Sequence, residues 1–228
     1  KKIEDYSSQN ILLVPGAKDL LRFVTTIMQS FFVSTSYEHY IRSLCALTDF
    51  PYENTYCTKL DIDKYQMGEK EKHRLKEIRE EISAMPMVEI PKNAQSLQDF
   101  SQKDQENIRR LDEIFWKEIS KMTSGRMLKD VNPVGGIEKA NAIKEIAGRL
   151  KSSVRDVMYV GDSITDVQSF QLVKENGGLT ISFNGNEYAI REAEVAVLSN
   201  NTIVTSVLAD AFSRFGKEQV IRLIEEWS

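Results

Sequence analysis

The chain has 228 residues, 41% of them apolar and 28% charged, with a formal charge of −4. This excludes collagen-like, low-complexity and wholly disordered chains, and the length suffices for a core without disulfide or metal staples. The acidic balance lacks the basic surplus of a nucleic-acid binder.

Two cysteines, Cys45 and Cys57, sit in no metal-binding or disulfide pattern. They read as small buried hydrophobes of a reducing, cytoplasmic compartment. Apolar runs such as residues 11–14 and 31–33 fall far short of the roughly 20 residues that cross a bilayer. No secretory signal opens the chain, and its first residue is Lys1, not Met.

Three stretches follow in order. In residues 1–60, Pro15-Gly16 precedes a helical period at Ala17, Leu20, Leu21, Val24, Ile27 and Met28, with Pro15 expected in the first helical turn. Phe31-Phe32-Val33 then reads as a short buried strand. A polar turn, Ser34-Thr35-Ser36, leads into a second helix from Tyr37. Residues 61–130 hold 15 acidic and 14 basic side chains, with helical stripes near 69–85 and 103–122 divided by Pro86 and Pro91. Such near-balanced helices are solvated and laced with ion pairs. Leu60-Asp61-Ile62-Asp63 reads as a polar-edged hairpin strand, and Tyr56-Cys57-Thr58-Lys59 does not read as a buried run. His39 and His73 read as surface or packing residues.

Residues 131–228 alternate. A helix over 140–150 precedes an apolar strand over 157–160, which ends in Gly161-Asp162-Ser163. A helix closed by Gly177-Gly178 and a strand over 179–183 follow. Then come Asn184-Gly185-Asn186, a short helix over 189–192 and a strand over 195–198. The order predicts an α/β fold with a parallel sheet between helices, whose functional loops lie at the carboxyl ends of the strands. Ser34, Asp162 and residues 184–186 all fall there.

The sharpest signal is Tyr159-Val160-Gly161-Asp162-Ser163-Ile164-Thr165-Asp166. Two carboxylates four residues apart at a strand end suit Mg²⁺, which takes one or two protein carboxylates plus waters and phosphate. The alternative is a plain helix cap by Asp162 or Ser163.

This segment resembles the fourth motif of the haloacid dehalogenase-like (HAD) hydrolase superfamily, G-D-x-x-x-D. Further features fit in the family's order. Pro15-Gly16 with Leu20-Leu21 resembles the helix before the second motif. Phe32-Val33-Ser34 resembles the second motif itself. Lys139, 23 residues before Asp162, resembles the third-motif lysine. The loop 181–187 resembles the Gly-Asn loop of related phosphatases, and the runs 34–37 and 183–189 look most like uncharacterised archaeal members.

The resemblance implies a HAD-like Rossmannoid fold, three-layered about a parallel sheet, with a mostly helical cap inserted over 61–130. It also implies hydrolysis of a phosphate monoester through an aspartyl-phosphate. Ser34 and Lys139 would be catalytic. Thr35, Gly185 and Asn186 would join them in binding phosphate. Asp162 would hold Mg²⁺ directly, and Asp166 directly or through water. The implied partner is a small phosphorylated metabolite, with no nucleic acid and no membrane. The apolar stripes of the insertion also suit a homo-oligomer contact. A catalytically inactive scaffold and a phosphotransferase or phosphomutase are the alternatives.

The family's first motif, a strand ending in D-x-D that carries the nucleophile, finds no counterpart before Ser34. In the family that strand lies centrally in the sheet, so its loss leaves unpaired backbone groups. The expectation is that this strand and the nucleophile lie upstream of Lys1, and that residues 1–228 alone are inactive.

Overall fold

The computed structural model describes residues 2–91 and 94–227; Lys1 lies outside the described residues. In chain order the elements are α1 (Lys2–Asn10), α2 (Ala17–Ile27), β1 (Phe32–Tyr37), α3 (Glu38–Thr48), β2 (Thr55–Thr58), α4 (Glu69–Ala84), α5 (Gln102–Asp112), α6 (Met127–Asp130) and α7 (Ile137–Leu150). They continue with β3 (Met158–Gly161), α8 (Val167–Glu175), β4 (Leu179–Phe183), α9 (Glu187–Glu192), β5 (Val195–Val197), α10 (Ile203–Phe215) and α11 (Lys217–Trp227). Two compact units result, one from residues 1–59 with 133–228, the other from residues 60–132.

In the first unit β3, β4 and β5 pair in parallel, with Gly161 opposite Ser182 and Ile181 opposite Val195. β4 is central, and its first four residues are buried, as a strand covered on both faces requires. One face packs Leu179, Ile181 and Val195 against Leu208 and Phe212 of α10 and Val220 of α11. The other packs Tyr159 with Ile143 of α7, Phe170 and Val173 of α8 and Ala189 of α9. Tyr159 meets Phe170 edge to face at 5.5 Å. Helices therefore lie on both sides of this sheet.

β1 and β2 form a separate parallel pair, over a core of Ile41, Cys45, Phe50 and Cys57. Both cysteines are buried free thiols. The single parallel sheet expected from the alternation is thus divided in two: among the described residues no ladder joins β1–β2 to β3–β4–β5. The open edges carry incomplete burial. β1 has no fully buried residue, and Val160 of β3 is 40% exposed.

Other expectations need correction. Thr55–Thr58 is a strand after all, with Cys57 and Thr58 buried, because it borrows its register from β1 rather than from its own alternation. Residues 62–64 form a 3₁₀ turn capped by Asp61, which accepts from the Asp63 N–H, so no hairpin strand exists there. Pro15 precedes α2 instead of entering it. Gly16 stands at the N-cap with φ +83°, where a Cβ would lie 2.8 Å from the Thr202 hydroxyl.

In the second unit, α4 and α5 carry the buried Ile78 and a network of arginines and glutamates. The stripe expected over 103–122 is a helix only to Asp112. It then widens into a π-helical segment, Glu113–Glu118, which buries Ile114. His73 is exposed on α4, 3.3 Å from Glu77.

Candidate active site

Four segments are linked in series by hydrogen bonds, three of them toward the carboxyl ends of β1, β3 and β4. The first is the turn after Ser34. Pairing between β1 and β2 shifts register from Ser34 opposite Cys57 to Tyr37 opposite Thr58, so Thr35 and Ser36 bulge from the ladder. Bulges of this kind re-aim side chains beside functional sites. The Ser34 hydroxyl accepts from the Ser36 N–H at 3.2 Å, and the exposed Thr35 donates its hydroxyl to the Val134 carbonyl at 3.0 Å.

The second loop, residues 133–136, reaches the third through the Gly136 N–H, which donates to the Thr165 carbonyl at 3.0 Å. Gly135 lies close against the Thr35 side chain; a Cβ there would sit 3.3 Å from its hydroxyl oxygen.

The third loop follows β3. Asp166 is buried at its centre, and both its oxygens are engaged. Oδ1 accepts from Lys139 Nζ and from the Tyr159 hydroxyl, each at 2.7 Å. Oδ2 accepts from the Asp162 and Ser163 N–H groups and from the Ser163 hydroxyl at 3.0–3.1 Å. Burial works to raise the carboxyl pKa, but hydrogen bonds from Lys139 and Tyr159 outweigh it and hold Asp166 below the usual range. Burial and the neighbouring Asp166 charge push the Tyr159 phenol far up, so it stays a proton donor. Gly161 makes room for this arrangement: a Cβ there would sit 2.7 Å from Asp166 Cγ.

Capping of the 3₁₀ turn that follows, residues 164–166, therefore falls to Ser163 and Asp166. That leaves the Asp162 side chain exposed and, among the described residues, without a hydrogen-bond or ion-pair partner. Of the two residues that the sequence offered as a cap, Ser163 is the one that caps, and Asp162 is left free.

The fourth loop follows β4. The Asn186 N–H donates to the Asp162 carbonyl at 2.9 Å, which ties this loop to the third. The Asn186 side chain caps α9, accepting from the Tyr188 and Ala189 N–H groups. Gly185 lies over Ser182, where a Cβ would clash with the serine hydroxyl at 2.2 Å. In this structure Gly185 and Asn186 shape the loop.

As a magnesium site, the residues present supply one free carboxylate, Asp162. Among the described residues no cluster of three carboxylate, histidine or cysteine side chains exists. Mg²⁺ keeps waters and takes substrate oxygens, so a single direct carboxylate fits it, while Asp166 has no oxygen left to offer. Lys139, far from being a surface lysine, is buried in α7 with its ammonium on Asp166.

Sequence reasoning missed Tyr159 and Thr58. A tyrosine amid the aliphatic residues of an otherwise apolar strand was a visible sign of the first. Nothing marked the second, because its partners lie 23 and 76 residues away.

This chain belongs to the haloacid dehalogenase-like hydrolase family. The model of the haloacid dehalogenase-like hydrolases matches residues 17–211. Among solved structures, a gene product of Archaeoglobus fulgidus superposes with a TM-score of 0.80 at 23% identity, over 99% of this chain. The chain spans 64% of the length of that archaeal protein. A Thermotoga maritima crystal structure aligns over 86% of this chain and 66% of its own, at 17% identity and a TM-score of 0.31, too low to bear on the fold. None of the curated proteins matches this chain. No helix among the described residues is long and apolar enough to cross a membrane.

Proposed function

We propose that this chain belongs to a phosphatase acting on a small phosphorylated metabolite. The observation that carries the reading is the buried Lys139 ammonium, anchored on Asp166 beside the free Asp162 carboxylate at the end of β3. A lysine held this way is aimed without reorganisation, which is how a site stabilises the charge of a phosphoryl group.

Ser34 and the Thr35 N–H would hold phosphoryl oxygens, and Lys139 would offset their charge. Asp162 would ligate Mg²⁺, which supplies charge neutralisation at the phosphate when bound. Asp166 holds the lysine and the 162–163 backbone in place. The nucleophilic aspartate would come from a strand outside residues 1–228, and the divided sheet, with open edges on β1 and β3, is consistent with that. Its carboxylate would attack phosphorus and expel the ester oxygen, and water would then cleave the acyl phosphate. The helical unit over 60–132 would act as the cap that selects substrate.

The test is hydrolysis of an aryl phosphate by the full-length protein with and without Mg²⁺. Metal-dependent turnover, lost in Asp162→Ala, is expected; absence of any metal-dependent turnover sinks the reading. Residues 1–228 alone are expected to be inactive.

A further inference from the structure

Thr58 is 1% exposed, and its hydroxyl makes two hydrogen bonds. It donates to the Thr35 carbonyl at 2.7 Å and accepts from the Val134 N–H at 3.0 Å. Thr35 returns the link by donating its own hydroxyl to the Val134 carbonyl. Three segments distant in sequence are thereby closed into one ring. Its location is specific. Thr58 is one residue from the end of the chain's first passage through the larger unit, and Val134 is one residue past the start of its second. Both crossings to the helical unit are therefore fastened at the Ser34–Ser36 turn.

We propose that Thr58 is a positioning residue for that turn. This rests on the phosphatase reading, in which the turn holds phosphoryl oxygens. The bulge has taken Thr35 and Ser36 out of the β1–β2 ladder, so sheet pairing does not fix where their N–H groups point. The Thr58 hydroxyl replaces it at one peptide, pinning the Thr35 carbonyl and thus the plane that carries the Ser36 N–H, which in turn donates to the Ser34 hydroxyl. The same hydroxyl holds Val134, so displacement of either crossing is resisted before it reaches the turn. A hydroxyl is needed because the anchor must donate and accept at once, which Thr and Ser do and Val does not.

The experiment compares Thr58→Val and Thr58→Ser in the full-length protein. Valine keeps the shape and removes both bonds. Serine keeps both bonds and removes a methyl. Amide exchange at Val134 and Ser36 should accelerate on the order of tenfold in Thr58→Val and stay near wild type in Thr58→Ser. Aryl-phosphate kcat/KM should fall about tenfold in the valine variant and recover in the serine variant, since small misplacements of positioning groups are costly. Unchanged exchange or unchanged kcat/KM in Thr58→Val overturns the proposal. So does a serine variant as impaired as the valine one, which would mean that packing of the methyl group matters instead. If the wild-type protein hydrolyses no aryl phosphate, the phosphatase reading fails, and the exchange measurement still decides whether Thr58 holds the turn.

Discussion

The ammonium of Lys139 donates to Asp166 Oδ1 at 2.7 Å, with the two side chains only 9% and 3% exposed. One charge comes from a helix and the other from a loop 27 residues later. Bringing both out of water is costly, and the pair stands only because the remaining capacity of Asp166 is filled by Tyr159, two backbone N–H groups and Ser163. This carboxylate organises the loop around itself.

Removing both partners should therefore cost less than the sum of removing each. Lys139→Met leaves a buried carboxylate short of its counter-charge and should destabilise by about 3 kcal/mol. The double variant Lys139→Met/Asp166→Leu should cost less than the sum of the single changes. Urea unfolding of the four proteins closes this cycle, and simple additivity would show that the two charges are not coupled.

Gly161 bears on the same cluster from the strand side. An alanine Cβ would lie 2.7 Å from Asp166 Cγ, and the carboxylate has no free direction to yield because both oxygens are bonded. Gly161→Ala should lower stability by about 1–3 kcal/mol through overpacking. In the background Asp166→Gly, which removes Cγ and also the Asp166 Cβ that would lie 2.8 Å from the added methyl, that penalty should largely vanish. Thermal unfolding of both variants measures it, and an equal penalty in both backgrounds would place the clash elsewhere.

Much of this cluster was legible in the sequence, for a physical reason. Gly161, Asp162 and Asp166 are neighbours in one strand–loop–helix segment, so their spacing maps directly onto geometry. The strand over 179–183 was equally legible from its flanking turn residues Gly177-Gly178 and Asn184-Gly185, and the one expected over 195–198 runs from Val195 to Val197. β2 was not. Tyr56, Cys57 and Thr58 have no local signature, and their strand exists only because β1 lies beside it. The division of labour between Asp162 and Asp166 was hidden too. It depends on Tyr159 and Lys139 reaching the second carboxylate from opposite directions in the chain, which spacing does not reveal. The π-helical widening after Asp112 also defeated a period count that assumes 3.6 residues per turn.

Asn186 offers a test of loop shaping against ligand binding. Its side chain accepts from two N–H groups at the start of α9. Asn186→Ala should cost about 1 kcal/mol as a lost N-cap, and Asn186→Asp should restore most of it. Activity at saturating aryl phosphate and Mg²⁺ should be close to wild type in the aspartate variant. If that variant regains stability but loses activity, the amide nitrogen contacts substrate, and the loop does more than shape the site.

The helical unit makes a prediction about acid. Glu118 is held below the usual carboxylate range by hydrogen bonds from Arg74 and Arg110, and Glu81 by the Arg110 guanidinium. A carboxyl group whose folded pKa lies below its unfolded value of about 4.3 stabilises the fold fully above that pH. The contribution is lost as pH falls through the folded value, where the proton displaces the arginine. Acidification below about pH 4 should therefore loosen the contact between α4 and α5, since Arg110 of α5 reaches Glu81 of α4 and Arg74 of α4 reaches Glu118. These side chains are partly solvated, so high salt at neutral pH should reproduce part of the loss. Glu118→Gln removes one titrating member in advance and should make the acid limb of the helical circular dichroism signal shallower. An acid limb of unchanged steepness would mean that these ion pairs do not hold the two helices together.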